Sequence, residues 1–254
     1  TALASAGTYY VQVSSSYLYD DGQYSLLGSL TSGTGSHEIE INDARTTANN
    51  LSSGQRLEGQ LWWTSDIDYY RVSIDGPSAI SVDFDAPTNS SYYDYFTVSL
   101  LDASGSVLAS NMTGKDITFE AGVDTAGDYF LLVEDAEYFT TDPYSISVSV
   151  DKSTNAIDEI ETEENDTIIT ADTLEIGSAI KGQLGNSDDI DYFKFNITQA
   201  STFGLVFDAP TNSSNNNYFT ASILDASGNF LSSHQFGSDK VFSTALADRK
   251  STRL

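Results

Sequence analysis

The sequence predicts an all-β chain built of tandem jelly-roll-like β-sandwich domains, and three observations carry that prediction. Alternating and β-branched runs are cut every 8 to 12 residues by turn signals. No stretch keeps a helical period, apart from a short turn near residues 47–51. The chain also repeats itself. Asp85-Ala86-Pro87-Thr88-Asn89-Ser90-Ser91 returns as Asp208-Ala209-Pro210-Thr211-Asn212-Ser213-Ser214, and Leu101-Asp102-Ala103-Ser104-Gly105 as Leu224-Asp225-Ala226-Ser227-Gly228, both 123 residues on.

The same offset carries Asn42-Asp43 onto Asn165-Asp166, Gly59 onto Gly182, and Asp68-Tyr69-Tyr70 onto Asp191-Tyr192-Phe193. A third copy supplies the N-terminus, because Ala6-Gly7-Thr8-Tyr9-Tyr10-Val11 matches Ala126-Gly127-Asp128-Tyr129-Phe130-Leu131 at an offset of 120. The expected organisation is therefore the closing strands of one repeat (1–30), a linker (31–36), a whole repeat (37–150), an acidic linker (151–160) and the opening part of another repeat (161–248). A basic tail, residues 249–254, matches nothing in the repeat.

Within the whole repeat, eight strands are expected at 56–61, 68–74, 79–84, 95–101, 107–110, 116–119, 128–134 and 144–150. Val98 and Leu100 alternate with Thr97 and Ser99, and Ile146 and Val148 with Ser145, Ser147 and Ser149, so each such strand has one packed and one wet face. Asp102-Ala103-Ser104-Gly105 supplies a tight turn between two of them.

Both copies that include the start of the repeat open on the pattern E-x-E-x-N-D: Glu38, Glu40, Asn42 and Asp43, then Glu161, Glu163, Asn165 and Asp166. In extended backbone Glu38, Glu40 and Asn42 share a face, and Asp43 follows. Such crowding of hard oxygen donors becomes favourable around a divalent cation, above all calcium with its six to eight oxygen ligands. The plainer reading is a solvated acidic linker. The repetition of the spacing favours the metal.

Composition narrows the rest. The 254 residues carry 37 acidic against 11 basic side chains, a formal charge of −26, which argues against nucleic acid and anionic membrane as partners. No cysteine is present, so neither disulfides nor thiolate metal sites contribute, and two distant histidines do not make a zinc site. No apolar run approaches the roughly 20 residues of a membrane span, and the N-terminus shows no signal peptide.

The repeat resembles the bacterial pre-peptidase C-terminal domain, a family that includes the collagen-binding domains of clostridial collagenases. The resemblance rests on Glu40-Ile41-Asn42-Asp43 with Ala48 and Leu51, Gly59-Gln60-Leu61, Asp66-Ile67-Asp68-Tyr69-Tyr70, Leu101-Asp102-Ala103-Ser104-Gly105, and Ala126-Gly127-Asp128-Tyr129 followed by Tyr144. It implies a jelly-roll-like sandwich that is secreted or on the bacterial cell surface, usually appended to another protein and itself non-catalytic. It also implies calcium where the acidic segment meets the sandwich. That adds Asp66 and Asp68 to the ligand set of the first copy, and Asp189 and Asp191 to that of the second. The alternative for Asp68 and Asp191 is a carboxylate that only caps a turn.

No nucleophile elbow, P-loop or H-E-x-x-H helix is present, and no catalytic residue is expected. Two functions from different classes remain. One is a calcium-stabilised extracellular structural repeat that self-associates head to tail, residues 6–26 completing the unfinished sandwich of a neighbour. The other is a calcium-dependent adhesion module for a polysaccharide or protein, for which Trp62, Trp63, Tyr92, Tyr93 and Tyr95 offer aromatic surface.

Overall fold

A computed structural model describes residues 8–14, 23–29, 36–87, 92–153, 159–185, 188–210 and 216–246. Residues 1–7, 15–22, 30–35, 88–91, 154–158, 186–187, 211–215 and 247–254 lie outside the described residues, and with them parts of both expected linkers, part of the 6–26 stretch and the basic tail. The chain divides into two compact units, one of residues 1–166 with 178–191 and one of residues 167–177 with 192–254. Among the described residues there is no helix, and none is long and apolar enough to cross a membrane.

The first unit contains β1 (Asn49–Asn50), β2 (Arg56–Gly59), β3 (Ile67–Ile74), β4 (Ser78–Asp85), β5 (Phe96–Leu101), β6 (Val107–Thr113), β7 (Ile117–Val123), β8 (Gly127–Asp135) and β9 (Tyr144–Asp151). They form a five-stranded sheet, β1-β3-β8-β5-β6, and a four-stranded sheet, β2-β9-β4-β7. The pairs β2·β9, β3·β8, β4·β7 and β5·β6 are all antiparallel, so the chain folds as one long ribbon rolled into a sandwich, which is jelly-roll topology.

Period-2 patterning explains the packing. In β3 the buried residues are Asp68, Tyr70, Val72 and Ile74, and in β9 they are Tyr144, Ile146 and Val148. These sets meet Ile80, Val82, Phe84, Val98, Leu100, Leu131 and Val133 in one core cluster. The turn at Asp102 needs its glycine: Gly105 has φ +98°, and Gly228 at the matching place has φ +79°.

All eight expected strands are present. Two run further than the pattern indicates: β6 continues through Asn111-Met112-Thr113, which pairs with Phe96 to Val98, and β7 through Glu120 to Val123, which pairs with Ser78 to Ser81. The expected turn near 47–51 is a turn closed by Thr47 N donating to Ala44 O at 2.9 Å, followed by β1 running parallel to β3.

The second unit contains β10 (Asp172–Thr173), β11 (Phe193–Lys194), β12 (Ser201–Phe207), β13 (Phe219–Leu224), β14 (Phe230–Phe236) and β15 (Lys240–Leu246). Each matches a strand of the first unit at the repeat offset, and the pairs β12·β15 and β13·β14 reproduce β4·β7 and β5·β6. Even the register shift at Leu100/Leu101 recurs at Ile223/Leu224. Ile223, Phe236, Phe242 and Leu246 form its small core. Residues 8–14 and 23–29 lie in no strand and are exposed.

Candidate metal centre

The first acidic segment is held in place by backbone before any side chain acts. Glu38 N donates to Glu58 O at 2.9 Å, and Glu58 N to Ser36 O at 2.6 Å, so residues 36–38 run along the outer edge of β2. Ile39 exchanges two hydrogen bonds with the Asn49 side chain, at 2.9 and 3.0 Å. Tyr69 N donates to Asn42 O at 3.1 Å, which fixes the segment against the start of β3. The alternation of β3 then turns Asp68 inward, and Asp66 sits just before the strand.

All six residues of the first set come together. Glu38, Asn42, Asp66 and Asp68 are buried, and Glu40 and Asp43 are partly so. One oxygen each from Glu38, Glu40 and Asp68 lie within 4.8 Å of one another, and so do oxygens of Glu40, Asp43 and Asp66, with Glu40 common to both groups. Three points so spaced leave a centre no more than about 2.8 Å from each, close to calcium–oxygen distances.

Two tyrosines join the ends of this cluster. Tyr70 OH donates to Glu38 Oε2 at 2.7 Å and lies 2.8 Å from Tyr144 OH, which donates to Asp68 Oδ2 at 2.5 Å. Gly59 gives both rings their room, because a Cβ there would overlap the Tyr70 hydroxyl. Sequence reasoning missed these hydroxyls: Tyr70 is replaced by Phe193 in the other copy, so nothing in the repeat marks it as polar.

The remaining oxygens are unevenly supplied. Gln60 N donates to Glu38 Oε1 at 2.7 Å, and Trp62 N to Asp66 Oδ2 at 2.6 Å. Glu40 Oε1, Asp43 Oδ1 and Asp66 Oδ1 are buried without any hydrogen-bond partner. Asn42 turns one amide atom toward Glu40 Oε2 and Asp68 Oδ1, 3.0 Å from each. As nitrogen it bonds both. As oxygen it joins the carboxylates, and only a cation offsets the repulsion.

Burial and mutual repulsion push these carboxyls toward the neutral form. Desolvation raises Glu38, and desolvation with the Glu38 charge raises Glu40 to about 7 and Asp68 to about 9. Asp66 is raised by desolvation as well.

The second set is looser. Glu161 is anchored by its N donating to Lys181 O at 2.9 Å, and its side chain accepts from Gln183 N. Glu161, Glu163 and Asp191 each bring an oxygen within 4.8 Å of the others. Asn165 donates to Glu161 Oε2 at 3.4 Å and is buried. Asp166 accepts from Ile190 N at 3.2 Å and Asp189 from Gly185 N, so these two sit beside the trio and outside it. Desolvation, with Asp191 and Asp189 respectively as the main charged neighbours, raises Glu161 to about 9 and Glu163 to about 8. Both acidic clusters could hold a metal ion, and their all-oxygen, carboxylate-rich donor sets suit a hard one.

The aromatic residues fall into two places. Trp62 and Trp63 are exposed on the loop before Asp66, while Tyr92, Tyr93 and Tyr95 join Tyr138 in a ring cluster whose closest centroids, Tyr93 and Tyr138, are 4.6 Å apart. Tyr138 stands at no position that the sequence patterning marked.

No protein-family model and no curated protein matches the chain. Among solved structures it is similar to the pre-peptidase C-terminal domain of a collagenase from Bacillus anthracis, with 20% identity over 40% of this chain and 94% of that one, at a TM-score of 0.34. It is also similar to the lysozyme inhibitor PliG of Aeromonas hydrophila, with 12% identity over 41% of this chain and 96% of that one, at 0.32. A β-glucosidase from Paenibacillus barengoltzii matches 39% of this chain with 11% of its own length, at 16% identity and 0.23.

Proposed function

We propose that the chain is a non-catalytic, calcium-stabilised repeat segment of an extracellular bacterial protein, in which calcium ties each acidic segment to its sandwich. One observation carries the reading: Glu40, Asp43 and Asp66, which each bring an oxygen within 4.8 Å of the others, each also carry a buried carboxylate oxygen without a partner. Unpaired buried charge is costly, and a cation removes that cost for all three at once. Glu38, Glu40, Asn42, Asp43, Asp66 and Asp68 would hold the ion in the first copy. Glu161, Glu163 and Asp191, with Asn165, Asp166 and Asp189 beside them, would do so in the second. Calcium suits crowded, irregular oxygen sets better than magnesium, which demands tight octahedral geometry. The test is thermal melting with calcium, magnesium or chelator: calcium raises the midpoint, magnesium does so poorly, and an unchanged midpoint on chelation refutes the reading.

Self-association through residues 6–26 is a separate proposal. It is supported by repeat register, which sets Val11 opposite Ile223 as Leu131 stands opposite Leu100. Paired cysteines at Val11 and Ile223 should cross-link chains into a ladder on oxidation, and a chain that remains monomeric under those conditions rules it out. The adhesion alternative is favoured by the exposed Tyr92, Tyr93 and Tyr138, and retention on immobilised neutral polysaccharide, lost on changing Tyr93 to Ala, would support it.

A further inference from the structure

The strand β7 closes one side of the four-stranded sheet, so its outer edge is open to pairing. Along it Phe119, Ala121 and Val123 face the core, while Thr118 and Glu120 are exposed. Gly122 belongs to the outward set, yet it is buried. What covers it is the leading segment of the second repeat, and all of the contacts lie within the first compact unit.

Gly122 N donates to Glu161 O at 3.1 Å, and Gly122 and Thr162 form a parallel bridge. Ile160 is buried beside them. A Cβ on Gly122 would overlap the Glu161 carbonyl oxygen and stand 3.2 Å from its carbon, and backbone cannot rotate out of the way. Around this contact Lys181 Nζ reaches Glu120 Oε2 at 2.9 Å, and Gln183 Nε2 donates to Ser110 O at 3.0 Å.

The repeat shows which of these residues the sandwich itself requires. The positions matching Gly122 hold Ala2 and Ala245, the position matching Lys181 holds Glu58, and the position matching Glu120 holds Ser243. The strand therefore does not need glycine, and the ion pair is not part of the repeat pattern. Among the described residues, glycine, acid and base coincide at the junction where the leading segment of the second repeat meets β7.

We propose that the outer edge of β7 is a docking face for the leading segment of the following repeat, and that Gly122 with the Glu120–Lys181 pair makes it selective. A receiving strand with alanine at that place cannot accept the segment in this register, so an array of such repeats contains locked and loose junctions. Glu161 also couples docking to the second acidic cluster, since its carbonyl accepts from β7 while its carboxylate belongs to the cluster. That coupling alone rests on the calcium reading.

The experiment is amide hydrogen exchange on the full chain, comparing Gly122→Ala with the parent, with and without calcium. Docking predicts that the variant exchanges at least tenfold faster over residues 159–166, while residues 96–101 in the core are unchanged. Ala245 in β15 shows that the strand tolerates the methyl group. If Gly122→Ala nevertheless unfolds, Glu120→Lys, an exposed change that sets like charge against Lys181, reads the same segment. Equal exchange over 159–166 in parent and folded variant overturns the proposal. If calcium raises melting but exchange over that segment is the same in both chains, docking fails and the calcium reading stands. If calcium does nothing while the variant still releases the segment, the calcium reading fails and docking stands.

Discussion

Lowering the pH from 8 to 6 should weaken calcium binding at the first cluster by nearly three orders of magnitude. Calcium takes the ionised carboxylates, so each proton held by the metal-free site must leave first. Asp68, raised to about 9, stays mostly protonated over this range, and the competition costs about a hundredfold over two pH units. Glu40, raised to about 7, is crossed midway and costs about a further tenfold. Folding without metal follows the opposite sign. These carboxyls have folded-state values above their unfolded ones, so their contribution is fully present below about pH 4 and is lost as pH rises toward 9. Each proton kept by the folded chain and lost by the unfolded one costs about 1.4 kcal/mol per pH unit, or roughly 3–6 °C of melting temperature in a domain of this size. Calorimetry with chelator and with saturating calcium, at pH 5, 6, 7 and 8, reads both effects. The metal-free midpoint should fall as pH rises, the calcium-loaded one should hold, and Asp68→Asn should flatten the metal-free slope. A calcium increment equal at pH 5 and pH 8 would refute the reasoning.

Further substitutions probe the support around the cluster. Tyr144→Phe leaves Asp68 Oδ2 without its buried hydroxyl donor, while Tyr70 keeps Glu38, and should cost about 1–3 kcal/mol in denaturant unfolding. Gly59→Ala drives a methyl group into the Tyr70 and Tyr144 hydroxyls and should destabilise by about 1–3 kcal/mol, measured in the same way. Glu40→Gln removes the carboxylate common to both oxygen groups, so it should abolish calcium binding at the first cluster by titration calorimetry while raising the metal-free midpoint at pH 8.

The strands were legible because each buries one face and so writes a period of two, and the repeat showed them twice. β6 and β7 read short because Asn111-Met112-Thr113 and Glu120-Ala121-Gly122 break that period while their backbones continue to pair with β5 and β4. β1 is two residues long, too short for any period. The E-x-E-x-N-D residues of the site were legible as repeated spacing, and Asp66 and Asp68 through the resemblance, whereas the Tyr70–Tyr144 bridge depends on two strands 74 residues apart meeting across the sandwich. Tyr9, Val11 and Val13 carry a strand-like alternation, but alternation supplies only a face. A strand also needs neighbours for its backbone, and residues 8–14 lie in no ladder.

The acidic segments do two jobs in this architecture, and the second explains where they sit. In the four-stranded sheet the outer strands are β2 and β7, and each meets an acidic segment: residues 36–38 run along β2, and residues 161–162 bridge to β7. An uncovered edge is a template for pairing with any passing strand, and a chain of β-sandwich repeats multiplies such edges. Covering them with carboxylate-rich backbone satisfies the outward N–H and C=O groups where it pairs and places negative charge beside the edge, which repels like copies. The same carboxylates then repel one another, as the raised values of Glu40, Asp68, Glu161 and Glu163 show. A divalent cation would relieve that repulsion, with every carboxylate ionised, without uncovering the edge. Edge protection and the proposed metal binding would thus be two consequences of one placement, and on that reading losing the ion should loosen the covering segments before it loosens the core.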